Sequence, residues 1–222
     1  MNATQCGPPL SKRAPLREWI LRVAFDQLYT RLAFMHELTG RLAFGRAWSA
    51  RRRLLIVVGD QSERVLDIGC GDGRLLAEPA WRSTLRFGVD PSTQATRRAR
   101  RRGVEVVRAC AQQLPLRDSS IDRVVCCYPG PWILDDAAWA ELARVLKSGA
   151  AMSVLVGGIT TRGRGAWARR LLQRVAYGPR AAEDAGLPPN TFGHVEIPGT
   201  LSRMHDDWGV AYLWRGQRVT RD

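Results

Sequence analysis

Asp67-Ile68-Gly69-Cys70-Gly71-Asp72-Gly73 is the segment of this chain best equipped for chemistry. Glycines at alternate positions let a backbone turn tightly and let a ligand lie directly against it. The apolar run Val65-Leu66 before it reads as a buried strand, and Arg74-Leu75-Leu76-Ala77 after it begins a helical pattern. Strand-to-helix turns of open α/β sheets are where such folds hold ligands. The dinucleotide fingerprint G-x-G-x-x-G fails, because Arg74 stands where its third glycine belongs. A second acid, Asp90, ends the apolar run Leu85–Val89 and is followed by Pro91-Ser92. A carboxylate at a strand end can accept both hydroxyls of a ribose, or can simply cap the next helix.

Asp67-x-Gly69-x-Gly71-x-Gly73 resembles the first motif of class I S-adenosylmethionine-dependent methyltransferases, and Gly88-Val89-Asp90-Pro91-Ser92 resembles the second. Cys110-Ala111-Gln112-Gln113-Leu114-Pro115-Leu116 with Asp118 to Val125 is similar to a third block, and Arg144-Val145-Leu146-Lys147-Ser148-Gly149 to a fourth. The resemblance covers about Val65 to Gly158, and it is closest to the ubiquinone/menaquinone and phospholipid methyltransferase-like branch. It implies an α/β, Rossmann-like, seven-stranded, mostly parallel sheet with helices on both faces and a terminal antiparallel hairpin. It also implies S-adenosyl-L-methionine as cofactor, contacted by Asp67 (ammonium), Gly69, Cys70, Gly71, Gly73, Asp90 (ribose), Pro91, Cys110, Ala111, Gln112 and Tyr128. The chain departs from the family at Cys110, where an acid often receives the adenine amino group. A thiol is a weak partner, so backbone near Ala111, the Gln112 side chain and packing on Leu114 are expected to hold the base. Ser148 and Ala150 replace the Pro and second Gly of the fourth block.

The elements that must position these residues follow from pattern. Strands are expected at Val65–Ile68, Leu85–Asp90, Val104–Ala109, Val124–Tyr128, Ala151–Val156, Phe192–Ile197 and Val210–Trp214, the last two paired and joined through Ser202–Gly209. Helices are expected at Gln94–Arg102, Ala138–Leu146 and Gly165–Ala176. Before the glycine turn, Trp19, Ile20, Val23, Ala24 and Leu28 form one apolar stripe, followed by helical segments Leu32–Phe44 and Ala47–Val58. Residues 1–58 therefore read as a helical cap and 59–222 as the Rossmann-like core of one domain. By resemblance, such a cap helps close the substrate pocket, with Tyr29, Phe34 and His36 as pocket candidates.

Methyl transfer from a sulfonium needs alignment more than acid–base work, so no catalytic residue is implied by family alone. His36, Tyr128, Asp135, Asp136 and His194 are candidate acid–base groups, and Tyr128, Pro129, Pro131 and Trp132 candidate substrate contacts. The formal charge of +13 favours anionic partners. All basic residues but Lys12 and Lys147 are arginine, and Arg97 to Arg102 is the densest cluster. Arg17, Arg22 and Arg31 beside the first apolar stripe would suit an anionic membrane surface. The preferred acceptor is a small molecule or lipid; an RNA or protein methyltransferase and a non-catalytic binding module are the alternatives. Cys6, Cys70, Cys110, Cys126 and Cys127 form no C-x-x-C pair and read as reduced thiols of a cytoplasmic protein. No metal-ligand spacing is present, no apolar run reaches spanning length, and no signal-peptide core is evident at the N-terminus.

Overall fold

The computed structural model describes residues 45–57, 64–81, 85–160, 166–167 and 193–220. Seven strands form one sheet: β1 (Arg64–Ile68), β2 (Leu85–Val89), β3 (Glu105–Val107), β4 (Ile121–Cys127), β5 (Leu146–Thr160), β6 (Gly199–Asp206) and β7 (Gly209–Gln217). Their order is β3-β2-β1-β4-β5-β7-β6. β1 to β5 are mutually parallel, and β7 runs antiparallel to both β5 and β6. Strand order reverses between β1 and β4, so the crevice for ligand opens at the carboxyl ends of these two strands. This is the architecture the sequence implies.

Period-two alternation along the central strands divides the core. Leu66, Ile68, Val124, Cys126, Met152 and Val154 pack against Trp139 and Leu142 on one face. Val65, Val125, Leu155, Ala211 and Leu213 pack against Leu55 on the other. The first face is covered by α4 (Asp136–Val145) and the second by the α1 (Arg46–Ala50), 3-10 (Arg51–Arg53), α2 (Leu54–Val57) run. Helix α3 (Thr93–Arg101) starts at Ser92, whose hydroxyl accepts from the Ala95 N–H. Its small residue Ala99 packs with Val104, Val106, Leu76 and Cys70. Gly73 must remain glycine here, because its φ is +75° and a Cβ would lie 2.9 Å from that of Ala99.

Four local expectations are corrected. The helix expected from Arg74 is one turn, Ala77 N–H to Gly73 O at 3.0 Å, before the 3-10 turn Pro79–Trp81. Pro79 disfavours helix in the residue before it. The strand expected at Phe192–Ile197 is only a bridge between His194 and Ile197, and β6 begins after Pro198. The expected connector residues Ser202–Asp206 are themselves strand, and the chain reverses at Asp207-Trp208. There Asp206 Oδ1 accepts from the N–H groups of Trp208 and Gly209, at 2.9 and 2.8 Å, a turn made by the aspartate side chain. Helix Ala47–Val58 is interrupted by its 3-10 turn. The segments expected as helices over 16–44, the helix Gly165–Ala176 apart from 166–167, and residues Arg17, Trp19, Arg22, Tyr29, Arg31, Phe34 and His36 lie outside the described residues.

Candidate cofactor site

The glycine turn is built from three left-handed residues, Gly69 (φ 71°), Gly71 (56°) and Gly73 (75°). Gly69 and Cys70 donate to the Val89 carbonyl at the end of β2, at 2.8 and 3.1 Å. A Cβ on Gly71 would meet no described atom within 4 Å, whereas one on Gly69 would meet the indole nitrogen of Trp132 at 3.7 Å. The backbone over Gly71 thus faces open space, with Trp132 bordering it. The Cys70 side chain turns away from that space: a Cβ added to Gly88 would collide with it. Burial pushes the thiol up, so a ligand contact from Cys70 would come from its backbone.

Asp90 binds the turn to the end of β2. Its Oδ2 accepts from Gly71 N–H at 2.9 Å and its Oδ1 from Ser92 N–H at 2.8 Å. Desolvation raises its pKa, and those two N–H groups partly oppose the shift. Each oxygen keeps a lone pair for a further donor. Asp90→Ala is expected to weaken nucleoside binding by about 1.5–3 kcal/mol, since charge-assisted bonds are lost. Calorimetry with S-adenosylhomocysteine measures it, and denaturant unfolding separates this loss from the stability cost of two unsatisfied N–H groups.

Asp67 lies at 1% exposure on β1, and its Oδ1 has no hydrogen-bond partner. Desolvation, then the charge of Asp90, push its pKa up to about 8, with Arg52 opposing. A buried carboxylate without a partner is costly, and a ligand ammonium would supply both charge and donors. Gln112 carries the second buried acceptor without a partner, its Oε1, while its Nε2 donates to Asp135 Oδ2 at 2.8 Å. The loop holding Gln112 is fastened to α4 by Leu114 N–H on Glu141 Oε2 and by Arg144 on the Leu114 and Leu116 carbonyls. Arg144 also holds the Glu141 carboxyl below the usual glutamate range. Two buried acceptors at the carboxyl ends of β1 and β3, with Asp90 at the end of β2, match the amine-bearing ends and the ribose of S-adenosylmethionine. The residues present fit that group.

Cys110 is disulfide-bonded, which corrects the reading of five reduced thiols; Cys70, Cys126 and Cys127 are free. The compartment argument from reduced thiols does not extend to Cys110. Its sulfur therefore offers adenine no S–H. Ala111 is buried beside it, and Leu114 packs into the core. Pro91 follows Asp90 at the edge of the site, half-buried.

The candidate acid–base groups separate. Asp135 caps α4 through Ala137 N–H at 3.0 Å on Oδ1 and takes Gln112 Nε2 at 2.8 Å on Oδ2, so each oxygen already accepts one hydrogen bond. Asp136 opens that helix, exposed. His194 is not brought to the site: it sits beside the start of β6, at the amino ends of the parallel strands, its Nδ1 accepting from Glu196 N–H at 3.3 Å. Tyr128 stands at the site in a left-handed conformation, φ 58°, which a bulky residue rarely adopts. Its ring stacks on Trp48 with centroids 3.7 Å apart and planes 5° from parallel, and its hydroxyl donates to the Trp48 carbonyl. Desolvation raises the phenol's pKa. Tyr128→Phe should therefore leave cofactor affinity and turnover within about fivefold, since the ring contact carries the interaction and a lone long hydrogen bond is worth about 1 kcal/mol or less; steady-state kinetics checks this.

Trp48 is the residue sequence reading missed. One helical aromatic on an apolar stripe gives no signal of a partner at position 128. Among the described residues no His/Cys/Asp/Glu cluster suits a metal, and no helix is long and apolar enough to cross a membrane.

Residues 65–149 match a family model described as a methyltransferase domain. An uncharacterised protein of Mycobacterium tuberculosis is 34% identical over 148 residues, 66% of this chain and 48% of its own length, so the chain spans about half of that relative. A S-adenosylmethionine-dependent methyltransferase of Thermotoga maritima superposes with TM-score 0.56 at 18% identity, over 86% of this chain and 99% of its own. Geranyl diphosphate C-methyltransferase of Streptomyces coelicolor A3(2), in complex with Mg2+, geranyl diphosphate and S-adenosyl-L-homocysteine, superposes with TM-score 0.54 at 16% identity, over 77% of this chain and 79% of its own. Residues 65–149 are thus similar to a methyltransferase domain, and the sheet that carries them has the fold seen in S-adenosylmethionine-dependent methyltransferases.

Proposed function

We infer that this chain transfers the methyl group of S-adenosylmethionine to a small-molecule or lipid acceptor. The observation carrying the cofactor half is the pair of buried acceptors without partners, Asp67 Oδ1 two residues before the open glycine turn and Gln112 Oε1 in the loop after β3. When bound, S-adenosylmethionine supplies a methyl group already activated by its sulfonium. The chain's own work is to bind, orient and exclude water. Asp67 takes the ammonium, Asp90 the ribose, and the glycine backbone the chain between them. Trp132 covers the turn at Gly69, where it narrows access of water. Asp135 is engaged in holding Gln112 and capping α4, the Tyr128 hydroxyl is on the Trp48 carbonyl and His194 lies at the amino ends of the strands, so the reading built on the described residues is an alignment enzyme.

The acceptor class rests on the wall beside the turn. Trp48, Tyr128 and Trp132 are aromatic, and small-molecule pockets are mostly apolar with few polar groups. Radiolabelled S-adenosylmethionine incubated with the protein and a cell extract, then split into organic-soluble, small-molecule, RNA and protein fractions, tests it. Label in the organic or small-molecule fraction is expected. Label confined to RNA and lost with ribonuclease, or confined to protein, overturns the acceptor class; no transfer, with cofactor bound, overturns the enzyme.

A further inference from the structure

We propose that Asp135 is a positioning residue that fixes the orientation of the Gln112 amide and so makes the site read the 6-position of the cofactor's purine. The proposal rests on the cofactor reading above. An amide can present either its carbonyl or its NH2 to a ligand, and its neighbours decide which. Here the neighbour is a carboxylate, which only accepts. Asp135 Oδ2 takes the Gln112 Nε2 at 2.8 Å, which turns Oε1 the other way, buried and without a partner. A buried acceptor held in that direction suits the 6-amino group of adenine and rejects a 6-oxo group. Asp135 is itself held: its Oδ1 accepts from Ala137 N–H at 3.0 Å as the cap of α4. Gln112 is held by the Leu114–Glu141 and Arg144 contacts of its loop.

The arrangement gives Asp135→Asn an unusual consequence. Asparagine caps a helix as well as aspartate does, and its carbonyl must stay on Ala137 N–H to do so. Its NH2 then occupies the place of Oδ2 and faces Gln112. Two NH2 groups cannot face each other, so the Gln112 amide reverses and offers its own NH2 to the purine. One substitution two elements away therefore converts an acceptor into a donor.

The test is binding of S-adenosylhomocysteine and S-inosylhomocysteine by calorimetry to the wild type, Asp135→Asn, Gln112→Ala and the double variant. Hypoxanthine also carries a proton on N1, and that difference is common to all four proteins and cancels when ratios are compared. The wild type is expected to prefer the adenosyl ligand. In Asp135→Asn that preference falls by roughly tenfold or more, through weaker adenosyl and stronger inosyl binding. In Gln112→Ala it falls without any gain for the inosyl ligand, and adding Asp135→Asn to Gln112→Ala changes it no further. A purely structural role for Asp135 lowers both affinities together, and an unchanged ratio in Asp135→Asn overturns the proposal while leaving the cofactor reading intact. Absence of S-adenosylhomocysteine binding to the folded wild type overturns both.

Discussion

Asp67→Asn is expected to weaken cofactor binding by about 2–5 kcal/mol and to abolish the proton release that accompanies it, because a buried charge pair loses one partner. In the ligand-free protein the Asp67 carboxyl is pushed up to about 8 by desolvation and by Asp90, against the opposing charge of Arg52. The thiols of Cys70 and Cys126 also face this group and sense its charge. At pH 7 the carboxyl then holds about nine-tenths of a proton. Pairing with an ammonium requires the carboxylate, so that proton leaves on binding. Affinity should rise close to tenfold per pH unit below about 8, then flatten and fall once the ligand's own ammonium titrates. Calorimetry in buffers of different ionisation enthalpy counts the proton. A wild type that releases none at pH 7, or an Asp67→Asn variant that still releases one, rejects the assignment. The same shift sets the stability of the ligand-free fold. The unfolded carboxyl ionises near 3.8 while the folded one keeps its proton to about 8, so the stabilising difference is full below the lower value and is lost as pH rises to the upper. Cofactor should restore it.

The fold was legible because its signals are local and repeated. Apolar strands, alternate glycines and an acid at the end of β2 lie in a fixed order, and each constrains backbone that only a few residue types tolerate. Asp90 shows how far this reaches: its position predicted a ribose acceptor, yet not its two bonds to Gly71 and Ser92, since those join segments that come together only in the folded sheet. Partnerships across the sequence stayed hidden for the same reason. Nothing near Gln112 announces Asp135, and nothing near Trp48 announces Tyr128. The hairpin was misplaced because Val195 and Ile197, two apart, alternate like a strand. In the structure Pro198 lies between them and β6, and the acid-rich Asp206-Asp207-Trp208-Gly209 makes the turn. Aspartate and glycine together favour reversal of the chain, a signal outweighed in the sequence by apolar alternation.

Arg51→Met should destabilise the protein by about 1–3 kcal/mol, less than for a fully buried pair because the stranded Asp206 is partly exposed and keeps the Trp208 and Gly209 N–H groups. Arg51 has a side chain 1% exposed in the 3-10 turn between α1 and α2. Its Nε meets Asp206 Oδ2 at 2.6 Å, and one terminal nitrogen meets Oδ1 at 3.1 Å and the Ile159 carbonyl at 3.2 Å. This fork ties the α1–α2 run to the end of β5 and to the β6–β7 turn at once. Gly158 leaves room for it, since a Cβ there would collide with the guanidinium and with the Val210 carbonyl. Burial raises the Asp206 carboxyl, and the hydrogen bonds and charge of Arg51 with the Trp208 and Gly209 N–H groups outweigh that, so it ends below its ordinary value. The pair's contribution is thus present above the ordinary carboxylate range and lost as pH falls through the depressed value. Because the same segment carries Trp48 onto Tyr128, loosening it should also open the aromatic wall beside the glycine turn and weaken acceptor binding before cofactor binding. Denaturant unfolding of Arg51→Met, Asp206→Asn and the double variant decides the matter. The double variant should regain part of the loss, as it strands no charge, and additive losses or a single-variant cost below about 1 kcal/mol would mean that the pair is as weak as an exposed one.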